Sequence, residues 1–185
     1  MMCYFTNIDS ETVIAVCALV VSVVSIIISV RTLKIQRTHN EKSVKPLGQI
    51  ILNDYENQIT VDIRNVGIGP MILKELSVTN LKGETKDNLI DFIDLEMPDG
   101  LTWNDYVKQV KERVVAVGEG IVLIGIDFES IDSPTKDSMN QLDRFRDSLR
   151  KTLGDIVVKI RYTGIYENEM QTTERKLDWF KRHFE

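Results

Sequence analysis

The chain has 185 residues, with 23 bases against 28 acids, two histidines and two cysteines. Cys3 and Cys17 fall before and inside a long apolar run, so nothing after residue 30 carries a thiol. That excludes disulfide frameworks, thiol nucleophiles and zinc–cysteine sites from the main body. Residues 1–45 hold five bases and three acids, which leaves residues 46–185 seven charges negative. Such a balance argues against nucleic acid as a partner.

Residues 1–11, MMCYFTNIDSE, contain two acids and no base. Thr12 to Val30, TVIAVCALVVSVVSIIISV, then runs for nineteen residues without charge, Pro or Gly. As a helix it would be about 28 Å long, close to the hydrocarbon thickness of a bilayer. A soluble core helix is shorter and is interrupted by polar residues. A cleaved signal peptide needs a basic start, a shorter apolar core and a small-x-small exit, and this segment offers none of them. The expectation is a single transmembrane helix that stays in the protein.

Arg31, Lys34, Arg37, Lys42 and Lys45 follow the run, against Glu41 alone. Basic flanks stay on the cytoplasmic side. The expected topology is therefore single-pass in a bacterial inner membrane, with residues 1–11 outside and the C-terminal domain cytoplasmic. The same five bases form a membrane-surface segment, 31–45, each worth about 1 kcal/mol of attraction to anionic lipid. The helix is expected to continue through RTLKIQRTHN and to fray near Asn40, before Pro46 ends it.

Within the span, Ala15, Ala18, Ser22, Ser25 and Ser29 recur at spacings of three and four. A seam of small residues lets two helix backbones approach closely, so self-association or pairing with another membrane protein is one reading. The other is that each serine simply bonds its own i−4 carbonyl. Both stay open at this point.

From Leu47 the apolar period changes to two. LGQIILND and QITVDIRNV read as strands around a short hairpin loop, Asp54-Tyr55-Glu56-Asn57. Asn65-Val66-Gly67-Ile68-Gly69-Pro70 lacks the Lys-Ser/Thr of a phosphate loop and precedes another strand, MILKELSVTN. It reads as a turn crossing between sheets. Residues 81–112 break the alternation with an acid-rich connection, partly buried around Leu89, Phe92 and Ile93. LTWNDYVKQVKE is expected to form a short helix, with Trp103, Tyr106, Val107 and Val110 on one face. Asp87, Asp91 and Asp94 mark the connection as a possible docking surface for a cytoplasmic protein.

RVVAV and IVLIGIDFE read as strands either side of Gly118-Glu119-Gly120. Ser133-Pro134 then introduces an amphipathic helix, TKDSMNQLDRFRDSLRKTLG, with Leu142, Phe145, Leu149 and Leu153 on one stripe and Gly154 at its C′ position. IVVKIRYTGIY and EMQTTERKL close the set of strands, and Trp179, Phe180 and Phe184 are expected to close the core. About seven strands with one or two inserted helices give the expected fold class, an immunoglobulin-like β-sandwich over 46–185. Tyr162 and Tyr166 are expected to anchor a corner by bonding backbone.

With its N-terminal helix, HNEKSVKP, NVGIGPMIL and RYTGIYENEM…LDWFKRHF, the chain resembles an uncharacterised bacterial single-pass membrane protein family. The resemblance spans nearly the whole chain. It implies an N-terminal transmembrane helix and a cytoplasmic immunoglobulin-like domain, and it transfers no catalytic residue. Such proteins are expected to turn tightly after Ile165-Tyr166, where Glu167-Asn168 here suggests a longer hairpin.

No catalytic, cofactor or metal residue is assigned. His39 and His183 are far apart in sequence, and no serine sits in a nucleophile elbow. Asp155 with Glu174-Arg175-Lys176 is the nearest approach to a nuclease set, but QTTERK lacks the apolar strand such sites use. A non-enzymatic, membrane-anchored interaction module is the expected function. The alternative is a membrane effector or regulator, for example in phage defence, acting through oligomerisation of its helix.

Overall fold

A computed structural model of the chain describes residues 9–128, 136–166 and 169–184. The chain divides between Ser43 and Val44 into two compact units. The first is helix α1, Ser10–Lys42, which contains no buried residue. Its most apolar stretch has a mean hydropathy of 3.0. Ser22, Ser25 and Ser29 each donate their hydroxyl to the carbonyl four residues back, at 2.8 Å. An apolar surrounding demands such internal satisfaction, because it offers no other partner. The helix ends two residues beyond the expected fraying point, where the Ser43 N–H bonds His39 O.

The second unit is mainly β, with two sheets and a further helix. Its strands are β1 (Gly48–Asp54), β2 (Gln58–Asn65), β3 (Met71–Asn80), β4 (Thr85–Lys86), β5 (Trp103–Tyr106), β6 (Val114–Val115) and β7 (Gly120–Asp127). Helix α2 (Lys136–Gly154) precedes β8 (Ile156–Thr163) and β9 (Gln171–Lys176). One sheet has the order β1-β2-β7-β5, the other β4-β3-β8-β9, and β6 pairs with the start of β3. Every pairing is antiparallel.

Alternation builds the core. Ile50, Ile59, Val61 and Ile63 face inward from one sheet, and Leu73, Leu76, Val78, Val158 and Ile160 from the other. A register shift between Leu73 and Glu75 explains why β3 keeps two apolar phases: the bulge lets both Leu73 and Leu76 point inward. Leu142, Phe145, Leu149 and Leu153 of α2 are all buried, as their stripe predicts. Along one side, β9 closes against the free edge of β1. Thr173 Oγ1 donates to Gly48 O at 2.9 Å and Arg175 Nη1 donates to Ile50 O. Edge carbonyls that would otherwise invite another chain are thereby used.

Four sequence expectations are corrected. LTWNDYVKQVKE contains no helix. Trp103–Tyr106 is β5, which pairs with β7, because that strand's second edge needs a partner more than the segment needs its helical spacing. Gly154 is the last residue of α2 and not a C′ glycine, and a Cβ there would fall 2.5 Å from the Lys181 side chain. Of the C-terminal aromatics, Phe180 is fully buried, while Trp179 and Phe184 are 39% exposed. Tyr162 is buried, yet its hydroxyl meets Thr173 Oγ1 at 3.4 Å rather than backbone, and Tyr166 lies exposed on a turn. Ser133-Pro134 and Glu167-Asn168 fall outside the described residues.

Asn65 pins the crossing from β2 to β3. Its side chain is fully buried and takes part in four hydrogen bonds. Nδ2 donates to Gly69 O at 2.8 Å and Val115 O at 3.1 Å, while Oδ1 accepts from Gly67 N at 3.0 Å and Leu47 N at 3.3 Å. Gly67 and Gly69 lie against the incoming chain so closely that a Cβ would meet Leu47 N at 2.3 Å and Val44 O at 1.8 Å. Replacing Asn65 by Ala strands buried donors and acceptors, each costing about 1 kcal/mol or more. A loss of about 3–4 kcal/mol is expected in urea unfolding, with Asn65→Asp no better, because it turns an oxygen toward two carbonyls.

Candidate functional surfaces and two buried carboxylates

The small-residue seam lies on α1, a helix with every described side chain outside any protein core. Of the basic segment, Arg31, Lys34, Arg37 and Lys42 extend the same helix, and Arg37 pairs with Glu41 at 3.4 Å. Lys45 belongs to the β domain, where it meets Glu169 at 3.4 Å. The expected basic cluster is thus split between the two units.

The acid-rich connection folds around Asn88 rather than around its acids. Asn88 is buried, and its Nδ2 donates to Asp87 Oδ1 at 3.1 Å and Asp91 Oδ2 at 2.9 Å. Its Oδ1 accepts from Asp91 N at 3.0 Å, which starts the 3-10 turn Ile90–Phe92 over the buried Leu89. Lys86 completes the arrangement by donating to Asp91 O at 2.8 Å while sitting over the Phe92 ring. Asp87 and Asp91 therefore shape the loop. Asp94 is exposed and contributes to none of these bonds.

The strongest charge cluster was not legible in sequence. Asp54, the last residue of β1, has a fully buried side chain met by two arginines and a histidine. Arg150 of α2 grips it with two nitrogens, Nη2 to Oδ1 at 2.8 Å and Nε to Oδ2 at 3.1 Å. Arg182 Nη2 and His183 Nε2 reach Oδ2 at 3.1 and 3.0 Å from the C-terminal 3-10 helix, Asp178–His183. Trp179 stacks on the Arg182 guanidinium at 3.5 Å, and Phe180 anchors the same turn in the core. One carboxylate thus ties the β1–β2 hairpin, α2 and the C-terminus together, with its hydrogen-bonding capacity spent inside the molecule.

Asp62 is the second buried carboxylate. It lies on β2 facing away from the core, opposite Ile51, yet remains buried. Its Oδ2 accepts from Asn53 Nδ2 at 3.3 Å and Thr60 Oγ1 at 3.4 Å, while Oδ1 has no partner. Burial pushes its pKa up, Asp105 adds to the rise, and the Thr60 bond and Arg64 oppose it. Neither feature is a hydrolytic set. The sequence-level nuclease candidates are also kept apart: Asp155 pairs with Lys181, whereas Glu174 stands opposite Lys159 on the β8–β9 ladder.

No protein-family model, curated protein or solved structure matches this chain. The functional reading therefore rests on the molecule's own geometry.

Two measurements test these assignments. Asp54→Ala leaves the largely buried Arg150 with Asp147 alone, at 3.5 Å, and should cost about 3–5 kcal/mol, with the C-terminal residues becoming the first site of limited proteolysis. Asp62 behaves oppositely. Because its folded pKa lies above the ordinary 3.8, the protonated form stabilises the fold, and that contribution fades as pH rises above about 4. Asp62→Asn should therefore unfold at higher urea than the parent at pH 7, with the gap closing near pH 3.5.

Proposed function

We propose that this protein is a non-enzymatic interaction module held at a bacterial inner membrane by α1, with its N-terminus outside and its β domain in the cytoplasm. The observation that carries the anchoring is the division of the chain. A 33-residue helix with no buried residue precedes, in the chain, a domain that completes its own core. A helix this apolar exposes far more contiguous hydrocarbon than a soluble protein tolerates, and a bilayer is the solvent that fits it. The orientation follows from Arg31, Lys34, Arg37, Lys42 and Lys45 lying on one side of the span.

The β domain reads as immunoglobulin-like. Its sheets, β1-β2-β7-β5 and β4-β3-β8-β9, follow the order of strands ABED and C′CFG when β6 is set aside. Binding is the favoured role, because Asp54, the most enclosed of the domain's charges, is used in holding its own parts together. Asp94 is the informative position for a protein partner docking on the acidic connection. Asp94→Lys should reduce partner recovery from native membranes without lowering stability, whereas reversing Asp87 or Asp91 would also disturb the turn at Asn88.

Topology tests the anchor. A membrane-impermeant maleimide added to spheroplasts should label Cys3, and a fluorescent protein fused after Glu185 should be bright. A dark fusion together with an active C-terminal alkaline phosphatase would reverse the orientation.

The second reading, an effector acting through helix oligomerisation, draws on the seam. With the serine hydroxyls bonded to their own helix, the seam presents a narrow, chemically quiet surface suited to close backbone approach. Ser22→Leu should then weaken self-association in a membrane two-hybrid assay, and Val21→Leu should not. Equal signals from the two would remove the seam from the mechanism.

A further inference from the structure

A small cavity opens where β3 meets the loop 107–113, which joins β5 to β6. Its volume is about 270 Å³, just under the range of about 300–1,000 Å³ that holds drug-sized ligands. Buried Leu76 and Val110 give it apolar lining, and Lys74, Lys108 and Lys111 give it cationic lining. Two backbone irregularities meet there. Lys74 is the extra residue of the β3 bulge, since Leu73 stands opposite Tyr162 and Glu75 opposite Arg161. A bulge of this kind re-aims the side chain it carries. Glu112 has a φ of 62° and is the one non-glycine with positive φ among the described residues. Two backbone bonds hold it beside the bulge: Glu112 N donates to Leu73 O at 2.7 Å, and Leu73 N to Arg113 O at 2.9 Å. Backbone in this region persists only where its surroundings fix it, and it collects at binding sites.

We infer that this cavity binds a small phosphate monoester, its phosphate on Lys108 and Lys111 and its organic part against Leu76 and Val110. The site lies wholly within the β domain, so the inference stands with or without the membrane anchor. The charges favour an anion. Glu75 and Asp87 also line the cavity, but both are engaged. Glu75 accepts from Arg161 at 2.9 Å, and Asp87 Oδ1 accepts from Asn88 Nδ2 at 3.1 Å. Lys74 is matched by Glu112 at 3.0 Å. Lys108 and Lys111 are exposed and have no acidic partner among the described residues.

The ligand class follows from charge and size. Two ammonium groups act as point charges, and a phosphate monoester offers them nearly two negative charges at pH 7, where a carboxylate offers one. Residues 46–185 are seven charges negative, so the domain's wider field repels anions and only a local pair of cations retains one. The volume leaves room for one ring or sugar beside the phosphate, and the buried Leu76 and Val110 suit such an apolar face.

The experiment uses the full chain in a neutral detergent, with phenyl phosphate and benzoate as probes in equilibrium dialysis at fixed ionic strength. Phenyl phosphate should bind once per chain, and at least tenfold more tightly than benzoate. Lys108→Gln with Lys111→Gln should weaken that binding tenfold or more while leaving the urea midpoint unchanged. Lys82→Gln with Lys176→Gln removes the same charge elsewhere on the domain and should leave binding within twofold of the parent. In the unaltered protein, phenyl phosphate should slow acetylation of Lys108 and Lys111 by acetic anhydride severalfold, and not that of Lys82 or Lys176. Equal losses from the two lysine pairs would reduce the effect to net charge and overturn the inference. Benzoate binding as tightly as phenyl phosphate would overturn the phosphate assignment, and no saturable binding of phenyl phosphate would remove the site altogether.

Discussion

Asn65 is the residue on which the β domain's organisation turns. A chain that leaves one sheet for another exposes backbone groups at the crossing, and each must find a partner once buried. Here one amide side chain serves the incoming segment at Leu47, the crossing at Gly67 and Gly69, and β6 at Val115. Its own backbone bonds the β6–β7 turn through Glu119 O and Gly118 N. Four stretches of chain are therefore ordered by one residue. The glycines beside it are the counterpart of that economy, since only their missing Cβ atoms let the crossing lie on Val44–Leu47.

The other organising choice is electrostatic. Residues 46–185 carry a net charge of −7, yet the most deeply placed carboxylate, Asp54, is surrounded by Arg150, Arg182 and His183. Concentrating cations on one buried acid gives directional, charge-assisted bonds where three parts of the chain meet. Asp62 shows the cost when no cation arrives. With one oxygen unpartnered, burial disfavours its charged form, and the fold carries a carboxylate that it would rather keep protonated.

How much of this was legible depended on range. The long apolar helix, β1 to β3, β7, α2, β8 and β9 all announce themselves through local period, and the structure places them where period says. β5 does not, because Trp103, Tyr106, Val107 and Val110 have helical spacing while the open edge of β7, about twenty residues later, decides the outcome. The Asp54 cluster joins residues more than ninety positions apart, and Asp54 itself looks like the start of a hairpin loop. One signal was present. Arg146 and Arg150 border the apolar stripe of α2, and a charge held against a core face needs an opposite charge or an aromatic ring. Arg150 finds Asp54, and Arg146 finds the Phe128 ring at 4.5 Å. Asp62 gave no such sign, since Thr60, Asp62 and Arg64 alternate with apolar residues as a solvated face would.

The two routes to function bear on each other through charge. Helix pairing along the Ala–Ser seam would bring two acidic domains to one point of the membrane, because Ser43 alone separates each helix from its clamped domain. Their repulsion is screened over about 8–10 Å at physiological salt, a distance shorter than a domain's width. Domains held close by paired helices would therefore feel each other mainly through facing surfaces, not through total charge. An acidic connection kept open at Asp94 then favours a basic protein partner over a second copy of itself. On these grounds the interaction module and the self-associating helix are compatible. In the proposed reading the helix would place the domains at the membrane, and the acidic surface would select what joins them there.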